Sequence, residues 1–267
     1  MYPYIEKKFG KIGARVQFVA DTSRRAETRT SPVSLDIATV AGEERFVISV
    51  READRENLDL SVLEVRPEDR HLVLLARNLD ENGRALTKEH FLCGHDERHL
   101  FVAAVQPVST VAEAKASLKP PEVRLRDVNL KKKMRNRRKN KSFVRQGEWF
   151  FIPATVSPPP VLINKNEPLR RGRGSKAHIA QFAYRSGGET VQVCRQYPNG
   201  LTHKEYKALI EANPRARNFN WRTMQRNATV YVRGTVRHPD HATIVLDSWH
   251  RVAMNRERQT ETVAFLD

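Results

Sequence analysis

Cysteine is nearly absent. Cys93 and Cys194 are the only two in 267 residues. Two cysteines cannot build a disulfide framework, and neither belongs to a Cys-x-x-Cys pair, so a reducing cytosol is the expected compartment. Long apolar runs are missing as well. None approaches the ~20 residues needed to cross a bilayer, and the opening MYPYIEKKFGKIGARVQFVA lacks the apolar stretch of a secretory signal. The sequence therefore predicts a soluble, cytoplasmic protein with no membrane partner.

Other absences narrow the chemistry. No glycine-rich loop follows a strand and opens a helix, which argues against an NTPase or a dinucleotide enzyme. There is no HExxH, no RNP1-like string, no GXXG of a KH domain, no zinc-finger spacing, no internal repeat and no heptad seam. Acidic residues are scarce in one half only. Residues 1–118 hold 17 Lys+Arg against 19 Asp+Glu, whereas 119–267 hold 30 against 12. The whole formal charge of +16 thus comes from the second half. An asymmetry of this size points to an ordinary folded module joined to one that faces a polyanion.

The apolar pattern reads as α+β, with two β-rich domains that carry few short helices and are joined by an extended basic linker. ARVQFVA, VSLDIAT, RFVISV, LSVLEV, HLVLLAR, EHFLC and HLFVAAV are short runs dense in Val, Ile, Leu and Phe, separated by turn formers. Asp80-Glu-Asn-Gly83 is a strong turn signal, and GHDERH is expected to link EHFLC to HLFVAAV as a hairpin. Thr110-Val-Ala-Glu113 fits a capping box opening a short helix that Pro120-Pro121 stops. The first domain, 1–118, reads as a scaffold or protein-docking module. Residues 119–142 read as a basic linker that stays disordered until something binds it. The second domain, 143–267, contains FVRQGEWFFIPATV, the loop NKNEPLRRGRGSK, a hairpin at Ser186-Gly-Gly188, and a second capping box, Thr202-His-Lys-Glu205.

Two basic stretches are the first candidates for function. KKKMRNRRKNK puts eight cations into eleven residues: Lys131, Lys132, Lys133, Arg135, Arg137, Arg138, Lys139 and Lys141. Arg170, Arg171 and Arg173 lie among glycines, followed by Lys176. Such groups neutralise phosphates and release counterions, and guanidinium forks grip phosphate bidentately. The plainer alternative is a solvated tether. In NFNWRTMQRN and its flank, Arg217, Trp221, Arg222 and Arg226 interleave an aromatic ring with cations, a composition that suits unstacked bases. Trp149, Phe150, Tyr197 and Phe219 are further aromatic candidates, each equally suited to a core. Basic segments that fold on binding suit irregular RNA better than a straight duplex, so RNA is favoured over DNA, and a non-catalytic subunit of a ribonucleoprotein or nucleic-acid-processing complex is the leading expectation.

Histidines carry the alternative. RHPDH supplies His238, Asp240 and His241, and Trp249-His250 follows on the next strand. Meeting at one end of a hairpin, His238, Asp240, His241 and His250 would hold a divalent metal or supply a general base, making a metal- or His-dependent nuclease. The Pro-Asp pair also reads as simple turn chemistry. No cofactor is expected otherwise. In CGHDERH, Cys93 beside His95 and His99 has the make-up of a nucleophile or ligand group, but Asp96 and Glu97 oppose thiolate formation.

Overall fold

The computed structural model describes residues 2–23, 31–170 and 175–256. It is β-rich, with five short helices among the described residues, an α+β architecture. The chain divides into two units at Arg137/Arg138, with Asn255 and Arg256 belonging to the first. No described helix is long and apolar enough to cross a membrane.

In unit one, helix α1 (Pro3–Gly10) starts with proline at its first position and buries Ile5 and Phe9, one turn apart. Strands β1 (Val16–Asp21), β2 (Val33–Val40) and β3 (Glu43–Arg51) form a sheet in the order β1-β3-β2, with β1 parallel to β3 and β2 antiparallel to it. Phe46, Ile48 and Val50 alternate inward along β3, the period of a strand with one face in the core. Strands β4 (Leu58–Arg66), β5 (His71–Leu79), β6 (Ala85–Asp96) and β7 (His99–Val105) make an antiparallel sheet in chain order. His71 to Ala76 on β5 are buried without alternation because both faces of this sheet are covered. Leu72, Leu74 and Ala76 join the cluster of Phe9 and Phe46, while Val73 packs with Val111, Ala114 and Leu118 on and beside helix α2 (Val111–Ser117).

Local chemistry closes these elements as the sequence predicts. Asn82 N–H donates to the Asp80 carboxylate, and Gly83 takes φ +74°. Thr110 and Glu113 form a complete capping box on α2.

The segment 119–142 is not a featureless tether. Helix α3 (Pro121–Asp127) and helix α4 (Lys132–Arg135) lie within it. Lys119 and Asp127 form a buried ion pair, and Lys119 Nζ also donates to the Arg135 carbonyl at 2.7 Å. The Arg135 guanidinium donates to the carbonyls of Leu130 and Val128, just beyond the end of α3. Charge density alone predicts repulsion. What offsets it is a buried Val123, a proline at the start of α3 and one acid placed to neutralise one lysine. The division at 137/138 leaves 25 basic against 21 acidic residues in 1–137, and 20 against 7 in 138–254. The excess of positive charge still belongs to unit two.

Unit two holds β8 (Val144–Gln146), β9 (Trp149–Pro153), β10 (Ile163–Leu169), β11 (His178–Ser186), β12 (Glu189–Val193) and β13 (Leu201–Thr202). Helix α5 (His203–Ala212) and strands β14 (Arg222–Arg226), β15 (Thr229–Arg237) and β16 (Ile244–Met254) complete it. Six strands form an antiparallel sheet in the order β10-β11-β15-β16-β9-β8, and β13-β12-β14 form a second sheet. Thr202 and Glu205 make the expected capping box on α5. Two expectations fail here. Ser186-Gly187-Gly188 is not a hairpin turn, because β11 and β12 pair in different sheets. The first part of NKNEPLRRGRGSK is strand β10 rather than loop. Trp149 and Phe151 enter the main core, and Phe150 packs edge-on against Phe143 at 5.1 Å, so none of these rings faces a ligand.

One irregularity matters below. Between the pairs Ala180–Val236 and Phe182–Arg233, β15 carries one residue more than β11. The bulge contains Gly234 at φ +82°, where a β-carbon would collide with Gln181 Oε1. Gln181 Oε1 accepts from Thr235 N–H at 3.0 Å.

Candidate metal centre and basic surface

Past the bulge, Ile179 pairs with Arg237, so His178 and His238 continue the ladder opposite each other at the mouth of β11 and β15. Their rings stack with centroids 4.1 Å apart. Further on, in the turn that leads to β16, His241 lies 4.6 Å from His238 and 5.5 Å from His178, ring to ring. One ring nitrogen from each histidine lies within 4.8 Å of the other two.

The β8–β9 turn forms the wall. Gly147, at φ +57°, is held there by geometry: a β-carbon would sit 2.8 Å from His241 Nε2 and 3.3 Å from His178 Nε2. Gln146 anchors the turn by donating to the carbonyls of Ala242 at 2.7 Å and Val236 at 3.3 Å. Outside, Asp240 is gripped by Lys176 at 2.7 and 2.8 Å, and the Asp240 amide donates to His238 Nδ1 at 3.1 Å.

The electrostatics favour the neutral form of His178 and His238. His178 is only 1% exposed. Burial first, and then the neighbouring His238 and His241, push its pKa down to about 3. Burial and then His241 also lower that of His238, against a smaller opposing pull from Asp240. Neither ring nitrogen of His178 makes a hydrogen bond, and nearby Gln146 Oε1 and Trp149 Nε1 are buried without partners too. Buried polar atoms are normally satisfied, and a group of them marks a place where water or an ion belongs.

This site differs from the one read in sequence. His238, Asp240 and His241 do come together. His250 does not: it sits on β16 opposite Val232, buried, with Nδ1 facing the Ser248 carbonyl at 2.8 Å. The chain from Val232 to His238, roughly 20 Å if extended, separates it from the cluster. His178 takes its place, a residue whose only sequence signal is that it opens a strand far upstream of RHPDH.

The basic candidates separate by exposure. Lys131, Lys132, Lys133, Arg137, Lys139, Lys141, Arg170, Lys176, Arg217 and Arg222 are exposed. Arg138 is half-buried, and its carbonyl accepts from Arg145 N–H at 2.7 Å. Arg171 and Arg173 lie outside the described residues. Two candidates serve the fold instead of a surface. Arg135 caps backbone carbonyls, as above, and Arg226 pairs with Glu189 and donates to the carbonyls of Asn199 and Gly200. Trp221 is half-buried and fixed in place, its Nε1 donating to the Ala216 carbonyl at 2.8 Å. Tyr197 stacks on it at 5.7 Å, Tyr206 meets it edge-on at 5.1 Å, and Phe219 lies 6.1 Å away. In unit one, Cys93 is fully buried and burial pushes its thiol pKa far up, which removes it as a nucleophile.

Fold and site together define a β-rich α+β protein with a partly buried histidine cluster in its basic unit. No protein family, no curated protein and no solved structure matches this chain.

Proposed function

We propose that this is a nucleic-acid-binding protein, RNA favoured over DNA, and a non-catalytic subunit of a cytoplasmic ribonucleoprotein or nucleic-acid-processing complex. The observation that carries the reading is the aromatic group around Trp221, flanked by exposed Arg217 and Arg222, in the unit that holds the excess positive charge. Cations supply sequence-independent attraction to phosphate, and a fixed, half-exposed indole gives an unpaired base a face to stack on. Unit one serves as the docking module, and the exposed lysines of 131–141, with Arg137, add further phosphate contacts. Two domains linked by this basic stretch is the arrangement the reading requires.

Fluorescence anisotropy with a single-stranded or hairpin RNA and with duplex DNA, across a salt series, is the test. Binding should weaken steeply with salt. Trp221→Ala should cost RNA binding about 1–3 kcal/mol, the value of one stacked base, and leave duplex DNA binding nearly unchanged. Arg217→Ser with Arg222→Ser, both at exposed positions, should lower the salt slope by about two units. Binding that ignores salt and both variants would end this reading.

A metal- or His-dependent nuclease is the second reading, favoured by the convergence of His178, His238 and His241. Cleavage of labelled RNA or DNA that needs Mn²⁺ or Zn²⁺ and is abolished by His241→Ala would prefer it.

A further inference from the structure

We infer that His178, His238 and His241 form a binding site for one divalent transition-metal ion of the Zn²⁺ class. The site is independent of nucleic-acid binding and stands if that reading fails. Three imidazoles suit Zn²⁺, Cu²⁺, Ni²⁺ or Co²⁺ and exclude Mg²⁺ and Ca²⁺, which need oxygen donors. The donors lie within 4.8 Å of one another, close enough to converge on one ion.

Two further features point at an occupant. His178 is buried with both nitrogens unbonded, and two more unbonded polar atoms, Gln146 Oε1 and Trp149 Nε1, flank the adjoining β8–β9 turn. Glycine at 147 leaves open the volume against which His178 Nε2 and His241 Nε2 both lie, and a methyl group would fill it.

His238 enters differently. Its Nδ1 accepts from the Asp240 amide, so in the neutral ring Nε2 carries the proton. Coordination through Nδ1 exchanges that amide for the ion, while Lys176, already tied to Asp240, keeps the turn in place. With three protein nitrogens supplied, a tetrahedral ion has one position left for water or a substrate atom, the pattern of a reactive rather than a purely structural zinc site.

The test uses the full chain stripped with EDTA and titrated with Zn²⁺ alone, read by calorimetry and by melting temperature. Co²⁺ substitution is followed by its visible absorption, which reports tetrahedral nitrogen ligation. One equivalent should bind and raise the melting temperature. His238→Ala, at a half-buried position where folding should survive, should weaken uptake at least tenfold, and Gly147→Ala should do likewise. His250→Ala and His99→Ala should leave uptake unchanged. A parent protein that takes up no Zn²⁺ and shows no melting shift overturns the site. So does stoichiometric uptake that survives both His238→Ala and His241→Ala.

Discussion

Each unit has one hairpin turn crowded with histidines and acids: GHDERH between β6 and β7 in unit one, and RHPDH between β15 and β16 in unit two. As strings of letters they look alike. In unit one most of the turn is paired with its own surroundings, although His95 Nδ1 is buried without a hydrogen-bond partner. His99 Nδ1 meets Glu44 at 2.8 Å, Leu100 N–H donates to the same carboxylate at 2.7 Å, and Arg70 places a cation near His95 that, after burial, lowers its pKa. A cation beside the ring repels a metal. In unit two the nearby cation Lys176 is occupied by Asp240, and the histidine rings stack on one another beside Gly147. What faces a turn across the sheet decides its chemistry, more than the residues within it.

The same contrast holds for buried charge, and the largest expected effect tests it. Unit one buries Lys119 only because Asp127 neutralises it. Asp127→Ala should therefore destabilise unit one by about 3–5 kcal/mol, the cost of stranding a buried ion, measured by urea denaturation. Loss of less than about 1 kcal/mol would mean that Lys119 reaches water and that α3 packs loosely.

Acid should act on the other unit. In metal-free protein, His178 titrates near 3 when folded and near its ordinary 6.5 when unfolded. Between those values the unfolded chain binds a proton that the folded chain refuses. The contribution of His178 is complete above pH 6.5 and is lost as pH falls toward 3, at up to about 1.4 kcal/mol per pH unit. All three tryptophans, at 149, 221 and 249, lie in unit two. Their fluorescence should thus report acid unfolding at a higher pH than circular dichroism of the whole chain, and His178→Leu should bring the two transitions together. Coincident transitions in the parent would remove the contrast.

The smallest effect is a control on it. Thr110 and Thr202 cap helices with the same box, one in each unit. Thr110→Ala and Thr202→Ala should each cost about 1 kcal/mol in thermal or urea melts. A large difference between them would show that one helix carries tertiary load the other does not.

The elements legible in the sequence are those set by local chemistry. Both capping boxes, the Asp80–Gly83 turn and the β6–β7 hairpin need only neighbours within a few residues, and their signals are short-range. The Lys119–Asp127 pair is hidden because the cations of Lys131–Lys141 outweigh, by composition, one acid that precedes them. His178 is hidden for a different reason. It joins His238 only through the β11–β15 register, and no periodicity in a single chain reports which strand lies beside which. His250, by contrast, looks close because it follows Pro239 and Asp240 by only a short stretch of sequence, yet β16 runs away from the cluster.

The bulge at Gly234 makes the histidine pair a matter of counting. Pairing along β11 and β15 runs at one offset from Ser186–Thr229 to Phe182–Arg233, and at the next offset from Ala180–Val236 outward. Carried on at the first offset, the ladder would set Arg237 opposite His178, and His238, one step along, would point to the other face. The surplus residue absorbed at Gly234 is what brings His238 level. Deleting Gly234 would keep the count toward β11, but Gly234 also pairs with Leu246 on β16, so the deletion would move the mismatch to that ladder. Gly234→Val keeps the count while forbidding the conformation that stores the extra residue, so the excess must slip toward the mouth of the strands. The pocket is thus encoded partly as a number.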